Sequence, residues 1–327
     1  MIVITGGSGF IGSALVWRLN QKSVTEILVV DHLVESGKWK NLVPLRFNDY
    51  LDREVFITRL ERGDFGNSIE AILHMGACSS TTEKNADYLL ENNYHYSLRI
   101  ASWREAHPAC RLIYASSAAT YGDGSRGYAD SEENLYDLRP LNMYGYSKHL
   151  FDCYALRRGW LKQIAGLKYF NVFGPNEYHK GAMRSVINKA YPDVRDKGTI
   201  RLFKSYRKEY ADGEQKRDFI YIKDALEMTL FFFEKSSING IFNIGTGIAR
   251  SWNDIARSLF AAAGKKPAIE YIPMPEAIKD NYQYLTCADL TKLRKAGCQH
   301  QCMNLEKAIE DYMKNYLSKG ATLDQQA

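Results

Sequence analysis

Tyr144-Gly-Tyr-Ser-Lys148 sets a phenol and an ammonium four residues apart, so a helix carries both on one face. A tyrosine titrates ordinarily near ~10 and acts as a base near neutrality only where a cation favours its phenolate. Lys148 can supply that charge. The pair suits removal of a proton from a hydroxyl that is being oxidised. Upstream, Tyr114-Ala-Ser-Ser117-Ala-Ala-Thr-Tyr-Gly122 ends an apolar run in hydroxyl side chains. Ser117 can hydrogen-bond the reacting hydroxyl. Ser116, Ser117 and Thr120 would each serve equally as helix caps, so the assignment depends on Tyr144 and Lys148.

A second group handles phosphate. Gly6-Gly-Ser-Gly9-Phe10-Ile11-Gly12 follows the apolar run 2–5 and opens an amphipathic stretch to Asn20, which reads strand, glycine turn, helix. Glycines at 6, 9 and 12 let a pyrophosphate approach the backbone, and the helix N-terminus offers N–H donors and positive partial charge. Asp31 closes the next apolar run, 19 residues beyond Gly12, where an acid commonly binds the adenosine ribose and favours NAD. Lys38 and Arg53 follow and can offset the 2′-phosphate of NADP. The residues alone leave both cofactors open.

These groups need a scaffold. Apolar runs at 2–5, 26–31, 71–74, 111–115 and 164–169 alternate with helix-like stretches, which predicts an α/β fold with a doubly wound, Rossmann-type parallel sheet. After Asn171 the pattern turns polar and basic, then strands return at 218–222 and 239–247, with helices at 223–233, 252–263 and 305–316. We expect a cofactor domain over 1–171, rejoined by about 218–243, and a second, smaller α/β substrate domain from 172–217 and about 244–282. The C-terminal helix, toward 327, is assigned to neither. No internal repeat is evident.

Composition narrows the class. The chain has 327 residues, 45% of them hydrophobic, and a formal net charge of +5 spread without a basic tail, which suits a small anionic ligand better than a nucleic acid. No apolar run approaches the ~18–20 residues of a membrane span, and 2–4 is too short for a signal core, so the expected location is the cytoplasm. Six scattered cysteines read as reduced thiols. Cys298-Gln-His-Gln-Cys302 places three soft ligands together, but structural zinc usually takes four from paired knuckles. The segment reads as a loop before the last helix, and no metal is expected.

The segment 5–12, Ser117 and Tyr144-x-x-x-Lys148 together resemble the extended short-chain dehydrogenases that act on nucleotide sugars. Gly76-Ala-Cys-Ser-Ser-Thr-Thr-Glu83, Ala115-Ser-Ser-Ala-Ala-Thr-Tyr-Gly122, Tyr169-Phe-Asn-Val172 with His179-Lys-Gly181, and Ala288-Asp-Leu290 are similar to the ADP-glycero-manno-heptose 6-epimerase family, over essentially the whole chain. The resemblance implies a two-domain enzyme that uses NADP, inverts C6 of ADP-heptose for the lipopolysaccharide inner core, and forms a homo-oligomer, in that family a pentamer. It also implies roles. Tyr144 and Lys180 become the two acid/base groups, Lys148 supports Tyr144 and the nicotinamide ribose, and Ser117 orients the substrate. Phe10, Ile11, Asp31, His32, Lys38, Arg53, Met75, Gly76, Ala77, Cys78, Ser79, Asn92 and Val172 would contact NADP, as would Lys148 and Lys180. Asn171, Ala182, Lys189, Phe203, Lys204, Ser205, Tyr206, Arg217 and Tyr282 would surround ADP-heptose. Met75, Lys168 and Asn281 depart from the expected acid, arginine and arginine.

Inversion at a secondary alcohol then runs by hydride loss to the cofactor, presentation of the other ketone face, and hydride return, with proton transfer in each direction. A dehydratase commonly follows its active hydroxyl residue with Asp-Glu, and here Ala118-Ala119 stand there. A sugar-ring 4-epimerase needs Tyr144 and Lys148 without Lys180. A non-enzymatic NADP-sensing protein has no need of the tyrosine–lysine pair at all.

Overall fold

The computed structural model describes residues 1–279 and 282–324; Asn281 lies outside the described residues. Seven parallel strands form the main sheet in the order β10-β6-β5-β4-β1-β2-β3. They are β1 (Ile2–Thr5), β2 (Ile27–Asp31), β3 (Asp49–Asp52), β4 (Ala71–His74), β5 (Arg111–Ser117), β6 (Ala165–Tyr169) and, later in the chain, β10 (Gly240–Ile244). The run expected over 239–247 therefore ends at Ile244. Beyond it the chain turns, because the buried Asp218 carboxylate accepts from the amides of Thr246 (2.8 Å) and Gly247 (2.9 Å).

Strand residues alternate between two helix layers, as the twofold repeat of a strand requires. Ile2, Ile4 and Val29 pack among Ala14, Leu15 and Met228, from α1 (Phe10–Gln21) and a later helix, Ile222–Glu234. Val3, Leu28 and Val30 face the other way, into a core shared with Phe56, Ile100 and Phe151. Those come from α2 (Arg53–Glu61), from α4 (Tyr96–Ala106), which follows the short α3 (Ala86–Leu89), and from α5 (Met143–Arg157). The strand order reverses between β1 and β4, where open α/β sheets leave a crevice at the strands' carboxyl ends. The fold is a doubly wound, Rossmann-type parallel sheet with a second, smaller α/β part.

That smaller part holds two further sheets, β11-β9-β7 and the parallel pair β12-β8. They use β7 (Asn171–Phe173), β8 (Ile200–Phe203), β9 (Lys216–Tyr221), β11 (Ala249–Ser251) and β12 (Ile269–Ile272), with α6 (Val186–Pro192) and α8 (Trp252–Ala262); α7 (Ile222–Glu234), between them in the chain, is the helix that packs beside α1 on the main sheet. The helix Leu305–Asp311 packs on α8 and β9. From there the chain returns to α1, where the Trp17 indole N–H donates to the Asp324 carbonyl at 2.5 Å.

The 298–302 segment is a loop pinned from a distant element. His300 Nε2 lies 2.8 Å from Asp224 Oδ1, the other Asp224 oxygen accepts the Met303 amide at 3.1 Å, and Cys298 is buried in the core. Asp224, His300 and Cys302 bring one ligand atom each within 4.8 Å of one another, a grouping invisible in the local sequence. No helix among the described residues is long and apolar enough to cross a membrane.

Candidate active site

The glycine turn is built for close approach. Gly6 has φ +64°, and a Cβ there would stand 2.7 Å from the backbone of Gly76; a Cβ on Gly12 would stand 2.1 Å from the Gly6 carbonyl. Side chains at these positions would separate β1 from the loop after β4 and push α1 off the turn. The first turn of α1 carries no acidic residue, so its N-terminus presents only donors and positive dipole. The fit to a dinucleotide pyrophosphate is steric as well as electrostatic.

Asp31 ends β2 at the next strand over and is saturated with donors. Its Oδ2 accepts from the Ser8 amide at 2.9 Å and also from the Ser8 hydroxyl; Oδ1 accepts from the His32 amide and from Lys38 Nζ, each at 2.7 Å. Burial would raise its carboxyl, but the Lys38 charge and these hydrogen bonds outweigh burial and hold it below the ordinary value. Asp31 pairs in register with Asp52, so Arg53 begins α2 beside the same strand ends. Its guanidinium bonds Asn92, and its Nε, 3.0 Å from Glu54 Oε1, makes no hydrogen bond among the described residues. His32 is turned to Asp52 at 3.0 Å.

The loop Gly76–Ser79 leaves β4 at the switch point. A residue that sequence reasoning missed holds it: Asn93, fully buried, accepts the Cys78 amide at 2.8 Å and donates to the Cys78 carbonyl and the Ser147 hydroxyl, each at 3.0 Å. Ser147 in turn donates to the Tyr144 carbonyl at 2.7 Å. Asn92 and Asn93 lie in a wide π turn, Leu90–His95, of the kind that often marks functional positions in helices. Met75 Sδ accepts from the Tyr169 hydroxyl at 3.6 Å, a role for which an acidic side chain is unnecessary.

Tyr144 and Lys148 lie in the first turns of α5, capped by Asn142, whose side chain accepts the Gly145 amide at 2.8 Å. Burial pushes the Tyr144 phenol up, and the neighbouring Ser117 hydroxyl opposes that in part. Ser117 ends β5, so serine and tyrosine meet at the sheet's carboxyl edge. Lys148 is buried and donates to the Ala115 carbonyl at 2.8 Å; desolvation pushes its ammonium down to about 8. Beneath them Asp152 accepts from Tyr114 (2.9 Å) and Ser116 (2.7 Å) and lies 3.9 Å from Lys168. Lys168 is 1% exposed and its Nζ has no hydrogen-bond partner among the described residues, which is what a shorter donor set leaves where an arginine fork was expected.

Lys180 comes from a separate segment, Tyr178–Met183, and its ammonium stands 5.2 Å from the Phe10 ring centroid at the start of α1. Burial lowers its affinity for the proton, opposed by the buried Glu177 carboxylate. Val172 follows Asn171 on β7, alongside Phe219 and Ile220 of β9. Farther out, Lys189, Phe203 and Tyr282 line one cleft of about 400 Å3 together with Asp193, Arg201 and Trp252. The Arg217 guanidinium is buried against the rings of Tyr282 (5.1 Å) and Trp252 (5.9 Å), and the Trp252 indole donates to the Tyr282 hydroxyl at 2.8 Å. Ala182 is exposed and its carbonyl accepts from Lys189 at 3.2 Å. Lys204, Ser205 and Tyr206 follow Phe203 outside the lining of this cleft: Lys204 and Tyr206 are exposed, and the Ser205 amide donates to Asp212 at 2.7 Å.

The sheet order, the glycine turn at its switch point and the serine–tyrosine–lysine group define the class: a Rossmann-fold enzyme that works with a nicotinamide dinucleotide. The chain belongs to the NAD dependent epimerase/dehydratase family, whose model matches residues 2–245. It is similar to the ADP-L-glycero-D-manno-heptose-6-epimerase of Nitratidesulfovibrio vulgaris (strain DP4), 51% identical over 97% of this chain and 98% of the relative. The enzyme of the same name from Fusobacterium nucleatum is 44% identical over 98% of each chain. A crystal structure of Helicobacter pylori ADP-L-glycero-D-manno-heptose-6-epimerase superposes with a TM-score of 0.80 at 28% identity, covering 96% of this chain and 95% of the other.

Proposed function

We propose that this chain converts ADP-D-glycero-D-manno-heptose to its L-glycero epimer, by transient oxidation at C6 and re-reduction with a bound NADP, in supply of the lipopolysaccharide inner core. The likeness to relatives of that name, over nearly the whole chain, supports the substrate. The observation that carries the chemistry is the meeting of Ser117, at the carboxyl end of β5, with the first turns of α5, where Tyr144 and Lys148 lie one helical turn apart and Lys148 is tied to the Ala115 carbonyl of the same strand. When bound, the nicotinamide supplies the hydride acceptor and donor. Ser117 orients the C6 hydroxyl and Tyr144 exchanges its proton. Lys180, from the opposite element, serves the other face of the ketone after the exocyclic arm turns.

The division of labour we propose runs along the chain. Residues 1–171 and about 218–243 hold the cofactor, and 172–217 with about 244–282 hold the sugar nucleotide. Asp31 with its charge already paired, beside Lys38 and Arg53, favours NADP over NAD. Arg217, Tyr282, Lys189 and Phe203 take the ADP moiety. Assembly as a homo-oligomer rests on the family likeness alone, and a cytoplasmic location on the reading of the sequence.

Lys180 also has a second reading as an NADP contact, which its place over Phe10 favours. The deciding experiment incubates the purified holoenzyme with ADP-D-glycero-D-manno-heptose and follows C6 configuration by NMR. Absence of the L-glycero product would overturn the proposal. Lys180→Met epimerising at the wild-type rate with saturating NADP would leave Lys180 with the cofactor-contact role only.

A further inference from the structure

Asn41 ties the cofactor side of the molecule to the segment that bears Lys180. It closes the short turn Gly37–Asn41, three residues after Lys38, and is 3% exposed. Its Nδ2 donates to the Ser8 carbonyl at 3.0 Å and the Asn176 carbonyl at 3.1 Å, and stands 3.4 Å from His179 Nδ1. One carboxamide therefore joins the glycine turn, the loop leading into 178–183, and the residue preceding Lys180.

The receiving side is itself fixed. Asn176 holds a left-handed backbone, φ +77°, which is rare for a residue with a side chain and persists only where its surroundings demand it. Its own carboxamide donates to the Ser13 hydroxyl at 2.9 Å and accepts the Leu323 amide at 2.8 Å. His179 is half-buried close to both Lys38 and Lys180, whose charges add to desolvation in holding its ring neutral, down to about 4. A neutral ring there can face two ammonium groups, where a charged one would drive them apart.

We propose that Asn41 is a positioning residue for Lys180, through which engagement of the Lys38 turn by the cofactor's 2′-phosphate sets the second acid/base group. This rests on the proposed roles of Lys180 and Lys38. The extra phosphate of NADP then contributes to turnover as well as to affinity, because the turn it orders is the turn that carries Asn41. A displacement of the acid/base group by about an ångström suffices for large rate losses.

The test uses an ADP-sugar aldehyde in which C6 ends the chain, reduced by enzyme-bound NADPH carrying deuterium at the transferred position. Deuteride goes to C6, a proton from the protein goes to the carbonyl oxygen, and NADPH becomes NADP. Two acid groups on two faces give both C6 deuterio stereoisomers, and Lys180→Met should leave one. Asn41→Ala should enrich that same stereoisomer about fivefold or more and lower kcat about tenfold, with the KM for the sugar nucleotide within about twofold, as loss of one orienting hydrogen bond predicts. Asn41→Asp is isosteric and cannot donate, so it should match Asn41→Ala and guards against a packing defect. If Lys180→Met is selective but both Asn41 variants keep the wild-type stereoisomer ratio, the inference about Asn41 is overturned and the role of Lys180 stands. If Lys180→Met itself keeps both stereoisomers, the acid/base role falls and the inference with it.

Discussion

Lys38 Nζ stands 2.7 Å from Asp31 Oδ1 and is the charged member of the four donors that satisfy this acid. In an NAD site the corresponding acid must keep lone pairs free for the ribose hydroxyls. Here they are taken by Ser8, His32 and Lys38, and the carboxylate's charge is offset before a cofactor arrives.

Cofactor-stripped protein should therefore bind NADP more tightly than NAD, by about 10–100-fold, the worth of one or two charge-assisted hydrogen bonds. Lys38→Ala should remove most of that preference, and Arg53→Ala part of it. Titration by calorimetry decides the matter. Equal affinities, or a preference for NAD that neither substitution changes, would reject the proposed phosphate contacts.

Tyr144→Phe should retain cofactor and substrate binding and lower kcat by roughly 10²–10⁴-fold, the usual contribution of a positioned proton-transfer group. Lys148→Met should lower both kcat and cofactor affinity, because its ammonium fills a buried space against the Ala115 carbonyl. A Tyr144→Phe enzyme with wild-type kcat would remove tyrosine from the chemistry.

Arg217→Ala should raise the KM for ADP-heptose by about 10–100-fold with a smaller change in kcat, as expected for a cation that binds ground and transition states alike. Trp252→Phe keeps a ring beneath Arg217 and deletes the N–H that fixes the Tyr282 hydroxyl. It should raise KM only a few-fold, on the scale of one neutral hydrogen bond. Steady-state kinetics of the two variants separates charge from alignment, and an unchanged KM in Arg217→Ala would sink its role.

His179 gives the fold an acid-sensitive point. In the unfolded chain its ring takes a proton near the ordinary value of 6.5, and in the folded protein only near about 4. Between those values the unfolded state binds more protons, so the stability that neutral His179 contributes is full above about 6.5 and is lost as pH falls toward about 4. Urea unfolding at several pH values should show wild type losing stability relative to His179→Gln across that window. Parallel curves for the two proteins would show that burial of the ring is not the cause.

Local spacing made the candidate reactive groups legible. Tyr144 and Lys148 share a helical turn, the glycines at 6, 9 and 12 sit at one strand–helix junction, and Ser117 ends the strand that its own apolar run announces. The parallel sheet followed from the alternation of runs. What stayed hidden was whatever works across the chain: Asn93 clamping Cys78 to α5, Asn41 bridging 135 residues to Asn176, Trp252 aligning Tyr282, and Asp224 reaching His300. An asparagine has the same local signature on a surface as in a buried clamp, and only tertiary packing separates the two. Strand edges were misread where a cap decides them, as at Gly245–Gly247, whose turn is dictated by Asp218.

The docking of the C-terminal stretch on α1 has an optical consequence. Trp17 is 7% exposed and its indole donates to the Asp324 carbonyl, while the neighbouring Leu323 amide is held by Asn176. Detachment of that stretch would wet one side of a single indole and leave the sheet intact. With the other tryptophans replaced by phenylalanine, emission from Trp17 becomes a gauge of how firmly the chain's last described residues grip the dinucleotide-binding helix, readable in the working enzyme at every stage of turnover.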